Sequence, residues 1–225
     1  MGFFDKRRHA KAVKAAESSV QSAEHDAHSA RVALEAAKLE LAQDTAPGII
    51  PKKGEVFYLV VQDAGFYEAK RLPGHWTGGS QGVSLRVAKG VSYRVGASRG
   101  TFQQGGEAMA VTSRGTFYVT NQRCVFMSDE KTTEWQYTKL VGFSLEGEGN
   151  VVFNVSNRQK ASGVVFGTGA EAQADATIAA AIAAFQGEEQ HRALLDELQK
   201  DADQAEDAVA RARAELESLS TPHPS

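Results

Sequence analysis

The residues whose types and spacing come closest to doing chemistry are a glycine run and the cations that follow it. Gly78, Gly79, Ser80, Gln81 and Gly82 are contiguous, and their backbone N–H groups would suit a nest for a phosphate or carboxylate. Arg86, Lys89, Arg94 and Arg99 come next and would supply positive charge, with forked donors from the arginines. The run lacks the lysine and the following helix of a P-loop, so nucleotide hydrolysis is not expected. The plainer reading gives the glycines to turns or close strand packing. His75-Trp76 sits just ahead, with Trp76 read as an anchor for its own loop.

A second group lies at the start of the chain. Phe3 and Phe4 precede Lys6, Arg7, Arg8, Lys11 and Lys14. Apolar insertion plus basic charge is the chemistry of contact with an anionic membrane. The competing reading is an exposed helix start with one phenylalanine packed as a staple. His25 and His28, with Glu24 beside them, supply two metal ligands and no clear third, so no metal is expected. Cys124 and Ser80 have no base near them in sequence, and Arg123 and Arg158 read as hydrogen-bonded strand or turn residues. No nucleophile–base pair assembles. The chain is expected to be non-enzymatic and to need no cofactor.

Charge is unevenly distributed. The net charge is −3 over 225 residues. Residues 1–14 carry +4, residues 15–44 carry −4, residues 45–167 carry +5 and residues 168–225 carry −8. A mildly basic middle between acidic flanks favours an anionic partner for the middle, and nucleic acid is not expected along the flanks. The lone Cys124 excludes an internal disulfide and reads as a small core residue. The longest apolar run, Ala176 to Phe185, is far short of the roughly 20 residues of a membrane span. With no signal peptide visible, a cytoplasmic location is expected, with the inner membrane face as the alternative.

The elements that must position these groups follow from periodicity. Asp5 is the expected N-cap of a helix running to about Asp44, stopped by Ala46-Pro47-Gly48. Its stripe is heptad: Val13, Val20, Ala27, Leu34 and Leu41, interleaved with Ala16, Ala23, Ala30 and Ala37. Near the other end Leu195, Ala202, Val209 and Leu216 alternate with Leu198, Ala205, Ala212 and Leu219. Two matching stripes flanking one body predict an antiparallel helical hairpin, with Val13 near Leu219 and Leu41 near Leu195; a homodimeric coil is the competing solution.

Between them the period is two. Glu55–Val61 and Phe66–Arg71 predict a hairpin turning at Asp63-Ala64-Gly65, followed by a glycine-rich loop over 72–82. Strands are expected around Val83–Val87 and Val91–Val95, then a second glycine-rich connection over 96–106. A meander follows, with strands at Thr116–Thr120, Arg123–Met127 and Thr132–Tyr137. A late hairpin joins Val151–Ser156 to Ala161–Phe166. Thr168 and Glu171 suggest a capping box opening a helix whose Ile178, Ile182 and Phe185 would plug one end of the sheet, with a break at Gly187.

The stretch Gly115-Thr-Phe-Tyr-Val-Thr-Asn-Gln-Arg-Cys-Val-Phe resembles the glycine, strand, Thr-Asn-x-Arg, strand signature of bacterial pleckstrin-homology-like (PH-like) and GRAM-type domains. Glu134–Phe143, with Lys139-Leu140-Val141, is similar to the strand after it. The resemblance spans roughly 53–185. It implies an α+β fold: an antiparallel PH-like β-barrel closed by a C-terminal helix. The organisation expected is a coiled-coil helix over 1–45, the barrel with its capping helix over 53–186, and a coiled-coil helix over 188–220. In phosphoinositide-binding relatives the first hairpin loop is basic; here it is the acidic Gln62-Asp63-Ala64-Gly65. The leading functional expectation is an interaction module that binds a protein partner or an anionic surface. A peripheral membrane sensor is the alternative, and an enzyme built on the glycine run a third.

Overall fold

The computed structural model describes residues 3–42, 48–72, 75–80, 83–88, 91–95, 98–103, 106–145, 149–157, 160–167 and 169–220, with backbone alone for 3–6 and 69–109. In order the elements are α1 (Phe3–Ala37), β1 (Phe57–Leu72), β2 (His75–Ser80), β3 (Val83–Ala88), β4 (Val91–Val95), β5 (Ser98–Gln103), β6 (Gly106–Thr120), β7 (Arg123–Met127), β8 (Thr132–Gln136), β9 (Leu140–Leu145), β10 (Asn150–Val155), β11 (Ser162–Val165), α2 (Glu171–Gln186) and α3 (Glu188–Ser220). The fold is α+β, with a seven-stranded antiparallel open sheet and three helices.

The sheet runs β8-β7-β6-β1-β11-β10-β9. Its middle is the expected meander, with Phe117 opposite Phe126 and Cys124 opposite Trp135. Phe117, Cys124, Phe126 and Trp135 share one face and are buried, whereas Val125, opposite Tyr118 and Glu134, lies on the other face and is buried there. The sheet curls strongly. Trp135 on the edge strand β8 and Phe153 on β10 bring their ring centroids to 4.7 Å, although those strands are not hydrogen-bonded neighbours. Phe117 joins them, 6.3 Å from Trp135 and 5.4 Å from Phe166. Gly115, at the start of the signature, is required by space: a Cβ there would overlap the Met127 carbonyl oxygen.

Three expectations in this sheet are corrected. Asp63-Ala64-Gly65 is no hairpin turn; β1 runs unbroken from Phe57 to Leu72 and pairs throughout with β6. The turn-forming residues serve a β-bulge instead. Asp63 adopts φ 55°, the register shifts between Val61 and Ala64, and Arg114 Nη1 donates to Asp63 Oδ2 at 3.0 Å. The glycine-rich stretches 72–82 and 96–106, expected as loops, contain β2 and β5, paired with Gly78 opposite Gly100. Residues without a Cβ remove any clash across such a ladder, so glycine did not exclude a strand. Finally, Tyr137 leaves the β8 strand and opens a 3-10 turn, Tyr137–Lys139.

Helix α2 is apolar all round and correspondingly buried, from Ala174 through Ala183 with few breaks. It lies against β1, β3 and β6. Ile178 and Ile182 are buried as expected, but Phe185 is 43% exposed and meets only the edge of the Tyr137 ring, at 5.5 Å. The N-cap is Ala170 without a side-chain bond, and the Glu171 carboxylate accepts from the Gly169 amide; Thr168, the expected cap, lies outside the described residues. Gly187, at φ 146°, ends α2 as expected.

Residues Glu35–Leu195 form one compact unit; Met1–Leu34 and Asp196–Ser225 form a second. Within the second, the stripe positions Ala16, Ala27, Leu198, Ala202 and Ala212 are buried, but Ala33, off the expected stripe, is buried where Leu34 is only half-buried. Arg31 pairs with Glu206 at 2.5 Å and Glu24 with Arg213 at 2.6 Å. Going back along α1 from Arg31 to Glu24 goes forward along α3 from Glu206 to Arg213, so the two segments are antiparallel. This register sets Val13 several residues beyond Leu219, a correction to the expected pairing. Helix α1 also ends at Ala37 rather than near Asp44, and Leu41 lies outside it, 65% exposed. Leu39 takes the left-handed conformation at φ 56°, the geometry of a helix stop. His191 Nε2 lies 2.7 Å from the Ala37 carbonyl, and the Ala42 amide bonds Phe57 O, drawing the chain to the sheet.

Candidate functional site

Two polar constellations stand in the sheet unit. The first is built by the Thr-Asn-x-Arg residues. Arg123 opens β7 and is nearly buried. Its Nε and Nη2 donate to Glu55 Oε1 and Oε2 at 2.8 and 3.0 Å, and its Nη1 to Glu134 Oε2 at 2.5 Å. Thr120 Oγ1 lies 2.9 Å from Glu55 Oε1 and accepts from the Arg123 amide at 3.0 Å. Asn121 accepts from the Val56 amide and donates to Gly54 O, both at 3.0 Å. Gln122 Nε2 reaches Lys53 O at 3.0 Å. The motif therefore clamps segment 50–56 to the β6–β7 turn.

Ionisation follows from these contacts. Burial works against the Glu55 charge, but the Arg123 hydrogen bond, aided by the Lys52 amide and Thr120, holds its carboxyl below the usual range. Burial likewise opposes the Glu134 charge, yet Arg123, Gln136 and Lys52 bring its pKa down to about 2. The hydrogen bond to Glu55 is the largest cause of the raised Arg123 pKa. Behind the clamp, Tyr137 donates to Thr120 O at 2.9 Å and lies 3.4 Å from Cys124 Sγ. Burial pushes the Cys124 thiol up to about 12 and the Tyr137 phenol well above its ordinary value. The members of this constellation bond one another and the backbone of segment 50–56. It is a fold-holding device, as expected for Arg123.

The second is a cleft of about 210 Å3 lined by Phe66 and Glu68 of β1, Lys131, Thr133 of β8, and Lys160, Ala161 and Ser162 leading into β11. Its floor is the buried Phe66 ring, stacked on Trp135 at 6.0 Å. Lys131 Nζ lies 3.9 Å above that ring and 2.9 Å from Glu68 Oε2; Thr112 donates to Glu68 Oε1 at 3.0 Å. Trp135 Nε1 donates to Ser162 Oγ at 3.2 Å, which leaves the serine proton with no acceptor among the described residues. The Thr133 hydroxyl has no partner among them and keeps contact with solvent. Both are nearly buried, Ser162 at 7% exposure and Thr133 at 5%.

The residues singled out from sequence are elsewhere. Gly78, Gly79 and Ser80 lie in β2, Arg86 in β3, Arg94 in β4 and Arg99 in β5; Gly82 and Lys89 lie outside the described residues. Gly79 stands opposite Arg99 and Ser84 opposite Arg94. Gly78, Gly79, Ser80 and Arg99 thus share the β2–β5 ladder, and Arg86 and Arg94 share the separate β3–β4 ladder. His75 and Trp76 are strand residues facing Gln103 and Phe102. Phe3, Phe4 and Lys6 begin α1, and Arg7, Arg8, Lys11 and Lys14 are exposed along its first turns. His25 and His28 are exposed on the same helix, and Arg158 is outside the described residues.

Sequence reasoning missed the cleft because its walls come from three separated stretches. The available signal was Thr133 and Ser162, hydroxyl residues at strand positions that share an inward face with Trp135 and Val164. Compared with family models, curated proteins and solved structures, the chain matches none.

Proposed function

We propose that the chain is a non-enzymatic interaction module: a PH-like barrel, closed by α2 and joined to an antiparallel coiled coil of α1 and α3, that binds a protein partner. The observation that carries the reading is the commitment of the reactive groups. Arg123 is ion-paired with Glu55 and Glu134, and Tyr137 bonds the Thr120 carbonyl and lies against Cys124. The contact between Trp135 and Phe153 across non-neighbouring strands supports closure of the sheet. The alanine-rich interior stripes and the two cross-helix ion pairs support the coil.

A second reading has its own observation: Arg7, Arg8, Lys11 and Lys14 are exposed on one helix end. Each basic side chain near an anionic surface is worth roughly 1 kcal/mol, and Phe3 and Phe4 would add insertion. One experiment separates the two. The full chain is used as bait against host lysate, and in parallel floated with phosphatidylserine-containing and neutral vesicles. Saturable capture of a protein by the folded bait, without flotation, supports the module. Flotation with anionic vesicles only, abolished by glutamine at the four basic positions, with no captured protein, replaces it with the membrane reading.

A further inference from the structure

We propose that the cleft between β1, β8 and β11 binds a small organic monocarboxylate with an apolar body. The inference stands apart from the module reading, because it rests on the cleft alone.

The argument is an imbalance between donors and acceptors. Ser162 is fixed as an acceptor by the Trp135 indole, so its own proton points to no acceptor among the described residues. Thr133 contributes a second hydroxyl without a partner. Both residues are more than nine-tenths buried and line the cleft, so their hydroxyl protons are open to an incoming acceptor there. Lys131 carries three N–H donors and gives one to Glu68. The one carboxylate in the lining, Glu68, already accepts from Lys131 and Thr112. The lining is therefore rich in donors and short of acceptors, which is the complement of a carboxylate.

Charge and shape narrow the class. The ionisable lining residues, Lys131, Lys160 and Glu68, sum to a single positive charge, which matches a monoanion better than a doubly charged phosphate. The apolar part of the lining is Ala161 and the edge of a Phe66 ring already covered by Lys131 Nζ at 3.9 Å, which leaves room for a small apolar body beside the lysine. A volume of about 210 Å3 lies below the usual range for drug-sized ligands, so the body is small. In the bound arrangement the carboxylate accepts from Ser162, Thr133 and a lysine, and the body lies against Ala161.

The test is a titration of the ¹⁵N-labelled full chain with benzoate, with benzamide as an uncharged match of shape and with inorganic phosphate, at constant ionic strength. The expected result is saturable movement of the Trp135 indole N–H and Ser162 amide signals with benzoate, and binding about tenfold weaker for benzamide and for phosphate. Thr133→Val keeps the side-chain shape, and Lys131→Gln removes a surface charge; each should weaken benzoate by about fivefold or more. Far-ultraviolet circular dichroism confirms that each variant is folded. No movement with benzoate up to about 50 mM, where even a very weak site would be occupied, overturns the proposal. So does benzamide or phosphate binding as tightly as benzoate, or a folded Thr133→Val that binds unchanged.

Discussion

Asp175 offers the most direct quantitative test of how α2 is packed. The residue as a whole is partly buried, but its Oδ1 has neither solvent contact nor a hydrogen-bond partner. Burial, with the Glu171 carboxylate one turn earlier as the lesser cause, pushes its pKa from 3.8 up to about 8. The native state thus holds a proton that the unfolded chain releases near pH 4. A raised native pKa contributes stability that is complete below the unfolded value and is lost as pH climbs through the native one. From 3.8 to about 8, at 1.36 kcal/mol for each pH unit, the loss is bounded at about 6 kcal/mol. Asp175→Asn keeps the shape and removes the titration. Urea denaturation of both proteins, followed by tryptophan fluorescence at pH 5, 7 and 9, reads the difference. The variant should gain on the parent by several kcal/mol between pH 5 and pH 9, and Glu171→Gln should recover a smaller part. A gap between parent and Asp175→Asn that stays constant with pH would refute the reasoning, because it would mean that this carboxyl ionises in the native state as it does in the unfolded one.

Further outcomes follow from the same contacts. Arg123→Met leaves Glu55 buried and unpaired and should cost about 3–5 kcal/mol in urea denaturation; adding Glu55→Gln should restore part of that loss. Because Glu55 and Glu134 have lowered native pKa values, their contribution is full above about pH 4.5 and fades as pH falls toward 2, so Glu134→Gln should flatten the acid limb of the stability curve. The Cys124 thiol, buried and held at about 12, should resist a thiol reagent such as DTNB in the native protein at pH 8 and react at once in urea; immediate native reaction would contradict its placement. Cysteines at Glu24 and Arg213, where an ion pair of 2.6 Å fixes the register, should crosslink within one chain. Crosslinks only between chains would establish the dimeric coil instead.

What could be read in advance was whatever is local. The meander from Thr116 to Gln136 was visible because its apolar residues recur with a period of two, and short polar turns leave no room for a crossover; which face each strand turns inward was not, since Val125 falls on the face opposite to Phe117, Val119 and Trp135. The Gly187 break and the alanine stripes of α1 and α3 were equally local, since a helical face is written every three to four residues. The misreadings share one cause, a residue type with two uses. Asp63-Ala64-Gly65 has the composition of a turn and also of a bulge; what decides is the length of pairing offered by β6, which lies some fifty residues further on. Gly78 and Gly79 permit a loop and equally a ladder with Gly100 and Arg99.

The end of α1 could not be read, for a different reason. No glycine or proline stands at Leu39, and the left-handed φ there is held by contacts made elsewhere, His191 on the Ala37 carbonyl and Phe57 O on the Ala42 amide. The candidate cleft belongs with this second kind. None of its lining residues is unusual in its own stretch: Lys131 is a turn lysine, Lys160 another, and Thr133 a strand threonine. The consequence of Thr133 and Ser162 emerges only when β8 and β11 curl toward one another and bring two hydroxyls to a cleft beside Phe66. A hydroxyl at an inward position is a polar group where an apolar one would pack at less cost. Hydroxyl residues at inward positions, in strands otherwise filled with Trp135, Phe153 and Val164, are therefore the places where sequence pattern and core packing disagree, and such disagreements gather where a fold has a use beyond its own stability.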